Sequence, residues 1–343
     1  MSNPQNAILT KARTMYSHCV TQNQYRDMMK KSSVTEVAIY LRDNTIYGKN
    51  LQGVNLSEIH REQLLEILRN AKYETFEKLS AFSFSKNSDG FYSYIYKLDE
   101  ANAVLKHIRY VCSGSKEMYS FSYNEILQKH TSFEYEKLLL TKTYDEVTEF
   151  LHGTGYEAVL IKNRRQNPEE IDTLKIETEL LHLIYVKLYA AINKEFSKAE
   201  AAALLDMFNE LNDMQSVVKA YRLKRFFNSE PDYIKEMCIA KGKRARKLIK
   251  EIANVNDRDK LNDVVSEWAP IKRFPIKDDF IEDSVMRSKS KLCNKNIHFS
   301  VYPSLTLICY MIHREIELEN IVNVVEGVRY GLPESDISEM LIF

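Results

Sequence analysis

The hydrophobic and polar positions of this chain follow helical spacing in two long stretches that resemble one another. Apolar residues recur every three or four positions, which is typical of an amphipathic helix with one buried face. In the first stretch they are Tyr94, Leu98, Ala101, Leu105, Ile108 and Val111. In the second they are Leu204, Phe208, Leu211, Met214, Val218 and Tyr221. The spacing predicts one long helix in each place.

The two stretches are related by a fixed offset of 110 residues. Four positions of the first reappear in the second: Leu98, Ala101, Asn102 and Ile108 match Phe208, Leu211, Asn212 and Val218. A weaker third version near the C-terminus carries Ile316, Asn320 and Val324. The three matched asparagines are therefore Asn102, Asn212 and Asn320. Such asparagines can cap or bridge helices inside each repeat.

A helix start repeats at the same interval. Ser33 to Glu36 and Thr143 to Glu146 both match a capping box, in which the hydroxyl accepts from the third amide and the glutamate reaches back to the cap's own amide. Val37 and Leu41 after the first recur after the second at the same offset of 110 residues. Asp257 begins a degenerate third copy that lacks the glutamate.

Because two independent elements share one period, we predict three similar multi-helix repeats in a pseudo-threefold arrangement. The predicted domains are residues 1–115, 116–225 and 226–343, with approximate boundaries because neighbouring repeats exchange helices. In the first repeat the helices are expected at residues 34–41, 57–82, 91–112 and 123–128, with a turn at 86–90. Pro168 is expected to begin a helix, and Gly331 to Pro333 to end one.

The composition favours an all-α protein with an ample core. Glycine and proline are scarce, at nine and seven residues, and the many aromatic residues follow helical rather than alternating patterns. Lysine plus arginine and aspartate plus glutamate are both 48, so no global field recruits nucleic acid or an anionic membrane. The five cysteines form no CxxC pair, which disfavours zinc and disulfides and favours a cytoplasmic location. No signal peptide or membrane span is expected.

Motifs for catalysis or cofactor binding are absent from the sequence. It has no GxxxxGK[ST], GxGxxG or HExxH, so no enzyme, cofactor or metal is predicted. We interpret His152 to Gly155 as a helix break, and His18 beside Cys19 as a surface histidine next to a buried cysteine. The basic run from Lys241 to Lys250 leaves open a nucleic-acid-binding protein, although a solvated helix start is the simpler interpretation.

Both ends of the chain resemble one family, the central-stalk subunit of V-type and A-type rotary ATPases, known as the C subunit in bacteria and archaea and as the d subunit in eukaryotes. The C-terminal string Glu315 to Ile321, followed by Gly327, Arg329 and Gly331 to Pro333, is similar to the family's closing pattern. Ala12 and Arg13, followed by Tyr25, Val37, Leu41, Thr45 and Tyr47, are similar to its opening pattern. The residue two positions after Arg13, where the family has a second basic residue, is Met15 here.

The resemblance implies a funnel or cup of three similar helical domains without an active site. Such a subunit would couple the membrane rotor ring of proteolipid subunits to the central shaft during proton or sodium-ion transport. It would be peripheral on the cytosolic face of the membrane and would bind no nucleic acid. The residues expected at its partner contacts are Arg13, Asn102, Asn212, Glu317, Glu319, Asn320 and Arg329. A helical adaptor unrelated to rotary ATPases is the other alternative.

Overall fold

The structure, a computed structural model, describes residues 4–82, 90–113, 125–277 and 280–343. Within these ranges the chain is helical and has no β-strand, only an isolated bridge between Lys277 and Phe280. This confirms the all-α prediction. The helices are α1 (Pro4–Tyr16), α2 (Gln22–Met29), α3 (Val34–Asn44), α4 (Gly48–Leu51), α5 (Arg61–Ser80), α6 (Tyr94–Cys112), α7 (Glu125–Gln128), α8 (Tyr135–Leu140), α9 (Tyr144–Phe150), α10 (Gly155–Asn163), α11 (Thr173–Glu195), α12 (Lys198–Phe227), α13 (Pro231–Glu236), α14 (Lys243–Ala253), α15 (Leu261–Ser266), α16 (Ala269–Arg273), α17 (Ile281–Phe299), α18 (Pro303–Arg329) and α19 (Glu334–Glu339).

The chain divides into two compact units that do not follow its linear order. Unit 1 contains Met1–Phe84 and Trp268–Phe343, so the N-terminal helices pack with the C-terminal ones. Unit 2 contains Ser85–Glu267. The three predicted domains remain a prediction, and the boundary expected near residue 115 lies outside the described residues. The same is true of most of the turn at 86–90 and of residues 123 and 124 in the expected helix at 123–128.

Helix α18 is the centre of unit 1. It packs against α1, α2, α3, α5 and α17, and its buried residues run around most of its circumference. The core cluster beneath it combines Val37, Leu41 and Tyr47 from the N-terminal part with Ile321 and Val325 from α18. Burial of this apolar surface stabilises unit 1 at roughly 25 cal/mol per Å².

In unit 2, α11 packs against α6 and α10, and α12 packs against α14. The core between α6, α9, α10 and α11 contains Val104, Ile108, Val147, Leu151 and Ile176, all with no exposed surface. Of the six positions predicted for the apolar stripe of α6, Ala101, Leu105 and Ile108 are buried and the other three are half-buried.

The repeated helix starts have the predicted caps. Ser33 accepts from the N–H of Glu36, and Thr143 accepts from the N–H of Glu146, each at a distance of 3.2 Å. The reciprocal bond differs from the prediction, because both glutamates accept from the residue before the cap, at 2.9 and 2.8 Å. Since the same shift occurs in both copies, the likeness between α3 and α9 includes this detail.

The turns that follow these helices also match. The hydroxyl of Thr45 donates to the carbonyl of Leu41, and that of Thr154 to the carbonyl of Leu151. Each hydroxyl oxygen also accepts from the N–H two residues later, at a distance of 3.3 Å. The residues donating those N–H groups are Tyr47 and Tyr156, and both side chains are buried. The two tyrosines therefore have equivalent local surroundings in different units.

Three other local predictions have mixed outcomes. Pro168 begins a separate 3₁₀ turn (Pro168–Glu170), and α11 begins afterwards, capped by Asp172, which accepts two backbone N–H bonds. Asp257 precedes a 3₁₀ turn (Arg258–Lys260) rather than a regular helix start. The break after α18 is confirmed: Gly331 has φ +66°, and the N–H of Leu332 returns to the carbonyl of Gly327 as in a Schellman motif.

Candidate functional site

A buried carboxylate lies at the centre of unit 1. Glu317 on α18 accepts from the N–H of Val20 at 2.7 Å and from the hydroxyl of Tyr47 at 2.9 Å. The guanidinium of Arg314, one turn earlier on the same helix, also donates to it. Glu317 and Arg314 are 3% and 2% exposed. A buried ion pair of this kind needs such extra bonds to offset the desolvation of both charges.

The local sequence supplies those partners. Val20 precedes the N-cap Thr21 of α2, and the capping box of Thr21 and Gln24 leaves the N–H of Val20 pointing at α18. The guanidinium of Arg314 also lies over the ring of Tyr47, 4.7 Å from its centroid. Glu317 therefore joins α18 to the start of α2 and to the turn before α4.

The electrostatics of this cluster are those of a structural link. Burial, and next the charge of Glu317, raises the pKa of both Tyr47 and Tyr25 well above its ordinary value. The same two causes raise the pKa of the Cys19 thiol, which stays protonated. Since the thiolate is the reactive form, Cys19 is not an activated nucleophile. The structure confirms that His18 is exposed while Cys19 is buried.

One group of potential metal ligands occurs in the described part of the chain. Ligand atoms of Cys19, His313 and Glu317 lie within 4.8 Å of one another. The carboxylate oxygens already accept hydrogen bonds, and the cationic Arg314 is in contact with them. These residues do not fit a divalent cation in this arrangement. The cluster is better explained as internal packing.

Unit 2 contains a counterpart on α6. Glu100 has no exposed surface and accepts from Lys97, one turn earlier, at 2.9 Å. It also accepts from the N–H of Ser132, before α8, at 3.2 Å. Burial, and next Glu100, raises the pKa of Tyr156, which occupies the position of Tyr47 in the repeat. Carboxylate, cation, tyrosine and backbone amide are thus assembled in the same way around α6 and α18.

A third carboxylate links α12 to the beginning of α14. Asp213 accepts from the N–H of Lys241 at 2.7 Å and from that of Gly242 at 3.0 Å. A Cβ at Gly242 would lie 2.1 Å from a carboxylate oxygen of Asp213, so this contact requires glycine. The adjacent Asn212 donates to the carbonyl of Ile239 at 3.0 Å. We call Glu317, Glu100 and Asp213 the anchoring acids.

The residues predicted to contact partners divide into buried and exposed groups. Asn320 is buried, donates to the carbonyl of Ile342 and accepts from its N–H, both over 2.8 Å. Asn212 and Glu317 are also buried with partners inside their own units. Arg13 is half-buried and donates to two carbonyls at the end of α17. Asn320 and Asn212 therefore bridge to backbone inside their own units, and a contact of these residues with partners stays a prediction.

The other three predicted residues are exposed. Asn102 lies on the open face of α6, and Glu319 on that of α18. Arg329 is exposed at the end of α18, with Glu326 at 3.6 Å and the ring of Tyr330 at 5.3 Å. Asn102 belongs to unit 2, and Glu319 and Arg329 belong to unit 1. Their contact with partners remains a prediction.

The sequence patterns did not single out Arg314, Glu100 or Asp213. A usable signal exists, because Glu100 and Glu317 interrupt apolar stripes of α6 and α18 and each has a cation three residues earlier. An i, i+3 pair on a helix surface has the same spacing. Spacing alone therefore does not identify a buried pair.

The described chain is thus an all-α scaffold in which buried charged residues join helices. Among its described helices, none is long and apolar enough to cross a membrane. The family model described as "ATP synthase (C/AC39) subunit" matches residues 8–340. The chain belongs to this family. The adaptor alternative unrelated to rotary ATPases is therefore wrong.

The chain is also similar to the C subunit of the A-type ATP synthase of Methanosarcina mazei. The two are 24% identical over 239 residues, which cover 66% of this chain and 64% of that protein. The chain thus matches a little under two thirds of this relative's length.

Proposed function

We propose that this protein is a non-catalytic central-stalk subunit of a V/A-type rotary ATPase, peripheral on the cytosolic face of the membrane. It would couple the membrane rotor ring to the central shaft during proton or sodium-ion transport. The observation that carries the proposal is the family match over residues 8–340. The similarity to the C subunit of an A-type ATP synthase supports the same assignment.

The anchoring acids suit a part that transmits torque. Each one joins a long helix to the backbone at the start of a neighbouring short helix, so relative rotation would break charge-assisted hydrogen bonds. Close-packed interiors resist deformation as well. The matched caps and turns of α3 and α9 also support the proposal of similar repeats within the chain.

The coupling role is tested by depleting the complex of this subunit. Membranes from cells lacking the chain should retain ATP hydrolysis by the catalytic head but lose ATP-driven ion transport. Adding the purified protein should restore transport. Tagged protein from its native cells should co-purify with ring and shaft subunits. Transport that persists without the chain, or ATP turnover by the isolated protein, would contradict the proposal.

Exposed charges provide a finer test. Glu319→Lys and Arg329→Glu reverse charges on α18 without removing a buried contact, so both variants should fold normally. We expect them to weaken assembly with ring or shaft subunits, because charge-matched interfaces set association and register. Glu136→Lys, an exposed acid on α8 in unit 2, is the matched control. If all three variants assembled equally well, Glu319 and Arg329 would not be part of the interface.

The basic run from Lys241 to Lys250, most of it on α14, is the feature that suggests nucleic-acid binding as an alternative function. Its lysines and arginines are exposed, while Ala245, Leu248 and Ile249 are buried, so the run is the solvated face of an amphipathic helix. Salt-dependent binding of the purified protein to RNA would favour the nucleic-acid alternative.

A further inference from the structure

The connection between α17 and α18 presents two large apolar side chains to solvent. Phe299 is 79% exposed and Val301 is 73% exposed, on either side of Ser300. We call residues 298–302 the hairpin tip. Exposed apolar residues are common singly, but two at the end of one helical hairpin form a small projecting patch.

The hairpin tip is held in place by α1. Arg13 donates from Nε to the carbonyl of Ile297 and from Nη2 to the carbonyl of Ser300, both at 2.7 Å. Tyr16 packs edge-on against the ring of His298, with centroids 5.2 Å apart. These bonds fix the backbone from which Phe299 and Val301 project.

The backbone of the hairpin tip has several of its polar groups satisfied internally. Besides the two carbonyls bound by Arg13, the N–H of Ser300 donates to the carbonyl of Asn296 at 3.0 Å. The N–H of Tyr302 donates to the hydroxyl of Ser300 at 3.1 Å. Groups paired in this way lose no hydrogen bond on leaving water. A hydrocarbon environment demands this of a backbone that enters it.

The surrounding sequence is strongly cationic, although the whole chain is neutral. Residues 284–314, which contain the hairpin tip, have five lysines or arginines and no acid. Residues 1–26, which contain α1, have three and also no acid. Lys295 and Lys291 are exposed on α17, about one and two turns before the tip. The acid Glu319 on α18 lies outside this stretch and interacts electrostatically with Lys289 on α17.

From this combination we propose that the hairpin tip binds an anionic lipid surface. Phe299 and Val301 would enter the interfacial layer, while Lys291 and Lys295 would pair with lipid phosphates. Apolar residues with adjacent lysines are the usual composition of interfacial contacts with anionic membranes. Acidic groups alone would pair with the lysines but would leave Phe299 and Val301 in water. This binding goes beyond the coupling role and does not depend on it.

A tryptophan reporter at the tip tests the proposal in the full-length chain. Phe299→Trp fluorescence, after subtraction of the Trp268 signal, should shift to the blue with phosphatidylglycerol vesicles and far less with phosphatidylcholine vesicles. Phe227→Trp is the matched control, since Phe227 is 71% exposed at the end of α12 in unit 2. Of the cations before it, Lys224 is buried and Arg225 is paired with Asp259, and Glu230 and Asp232 follow it. It should not shift.

Charge reversal separates lipid binding from simple apolar adsorption. Lys291→Glu with Lys295→Glu, added to the Phe299→Trp reporter, should lower the apparent affinity for anionic vesicles at least about tenfold. Thermal unfolding of the variant should be unchanged, because both lysines are exposed. High salt should weaken binding of the parent reporter in the same direction.

Three results would overturn the proposal. The first is no fluorescence shift of Phe299→Trp with anionic vesicles, and the second is an equal shift of Phe227→Trp. The third is an affinity for anionic vesicles that Lys291→Glu with Lys295→Glu leaves unchanged. A shift with polyglutamate but not with vesicles would assign the tip to an acidic protein instead. None of these results bears on ion transport by the complex, so the coupling role stands or falls separately.

Discussion

Tyr47 donates its hydroxyl hydrogen to Glu317 over 2.9 Å, although 270 residues separate them in the chain. The carboxylate that receives it also pairs with Arg314, and all three side chains are buried. The bond closes unit 1 by joining its N-terminal and C-terminal parts. The stability of unit 1 should therefore depend on this cluster.

Removal of Glu317 should strongly destabilise unit 1. Glu317→Ala leaves Arg314 charged and buried, which costs about 3–5 kcal/mol of unfolding free energy. The measurement is urea unfolding followed by Trp268, the only tryptophan of the chain, which belongs to unit 1. Glu319→Ala, on the exposed face of the same helix, should change stability by only about 0.5 kcal/mol or less.

The double variant Arg314→Met with Glu317→Met tests whether the loss comes from the unpaired charge. It removes both charges and keeps apolar volume, so it should recover much of the stability lost in Glu317→Ala. If Glu317→Ala cost under about 1 kcal/mol, the ion pair would not be a structural link.

Asn320 should hold the C-terminal residues of the chain against α18. Asn320→Ala removes two hydrogen bonds to the backbone of Ile342 and leaves that buried N–H and carbonyl unpaired, at a cost of about 2–3 kcal/mol. Amide hydrogen exchange at Ile342 should accelerate. Asn323→Ala is the control, because Asn323 makes a single bond to the carbonyl of Met340 and is less buried. Unchanged exchange at Ile342 in Asn320→Ala would refute this.

Gly327 should tolerate no side chain while Ile337 is present. A Cβ at Gly327 would lie 2.4 Å from Cγ1 of Ile337, a contact that real Cβ atoms do not make. Gly327→Ala should lower stability by about 1–3 kcal/mol through overpacking between α18 and α19. In the double variant with Ile337→Ala, the added methyl fills part of the new cavity. The combined loss should then be smaller than the sum of the single losses, and strict additivity would contradict the contact.

The stability of unit 2 should fall at acidic pH because of His107. Burial lowers the pKa of its imidazole below 6.5, although its Nε2 lies 3.1 Å from the carbonyl of Thr141, which acts in the opposite direction. Below about pH 6.5 the unfolded chain therefore binds the proton more readily. Stability is lost as pH falls from there through the folded-state pKa, by about 1.4 kcal/mol per unit of lowering.

His107→Gln should make this pH dependence shallower. Between pH 7.5 and 5 the variant should lose less unfolding free energy than the parent. The measurement is scanning calorimetry of the full chain at a series of pH values. His182→Gln, which replaces an exposed histidine on α11 in the same unit, is the control. Parallel pH profiles for the parent and His107→Gln would show that His107 does not titrate on unfolding.

The sequence predicted the helical class, the caps of α3 and α9 and the break at Gly331, because these depend on neighbours a few residues apart. It also predicted the family, whose pattern lies along the chain. Ser33, Thr143 and Gly331 act within their own turns, where backbone hydrogen bonds and φ are set locally. Such features do not require knowledge of distant contacts.

Only the tertiary structure decided which charges are inside. Glu315, Glu317 and Glu319 are chemically alike and alternate along one helix, yet only Glu317 is buried against Arg314 and Tyr47. Its partners come from residues near the other end of the chain, which helical spacing cannot identify. The sequence by itself determined the helices and the caps of α3 and α9, and long-range packing determined which polar residues join the helices, because the energy of a buried charge depends on what surrounds it.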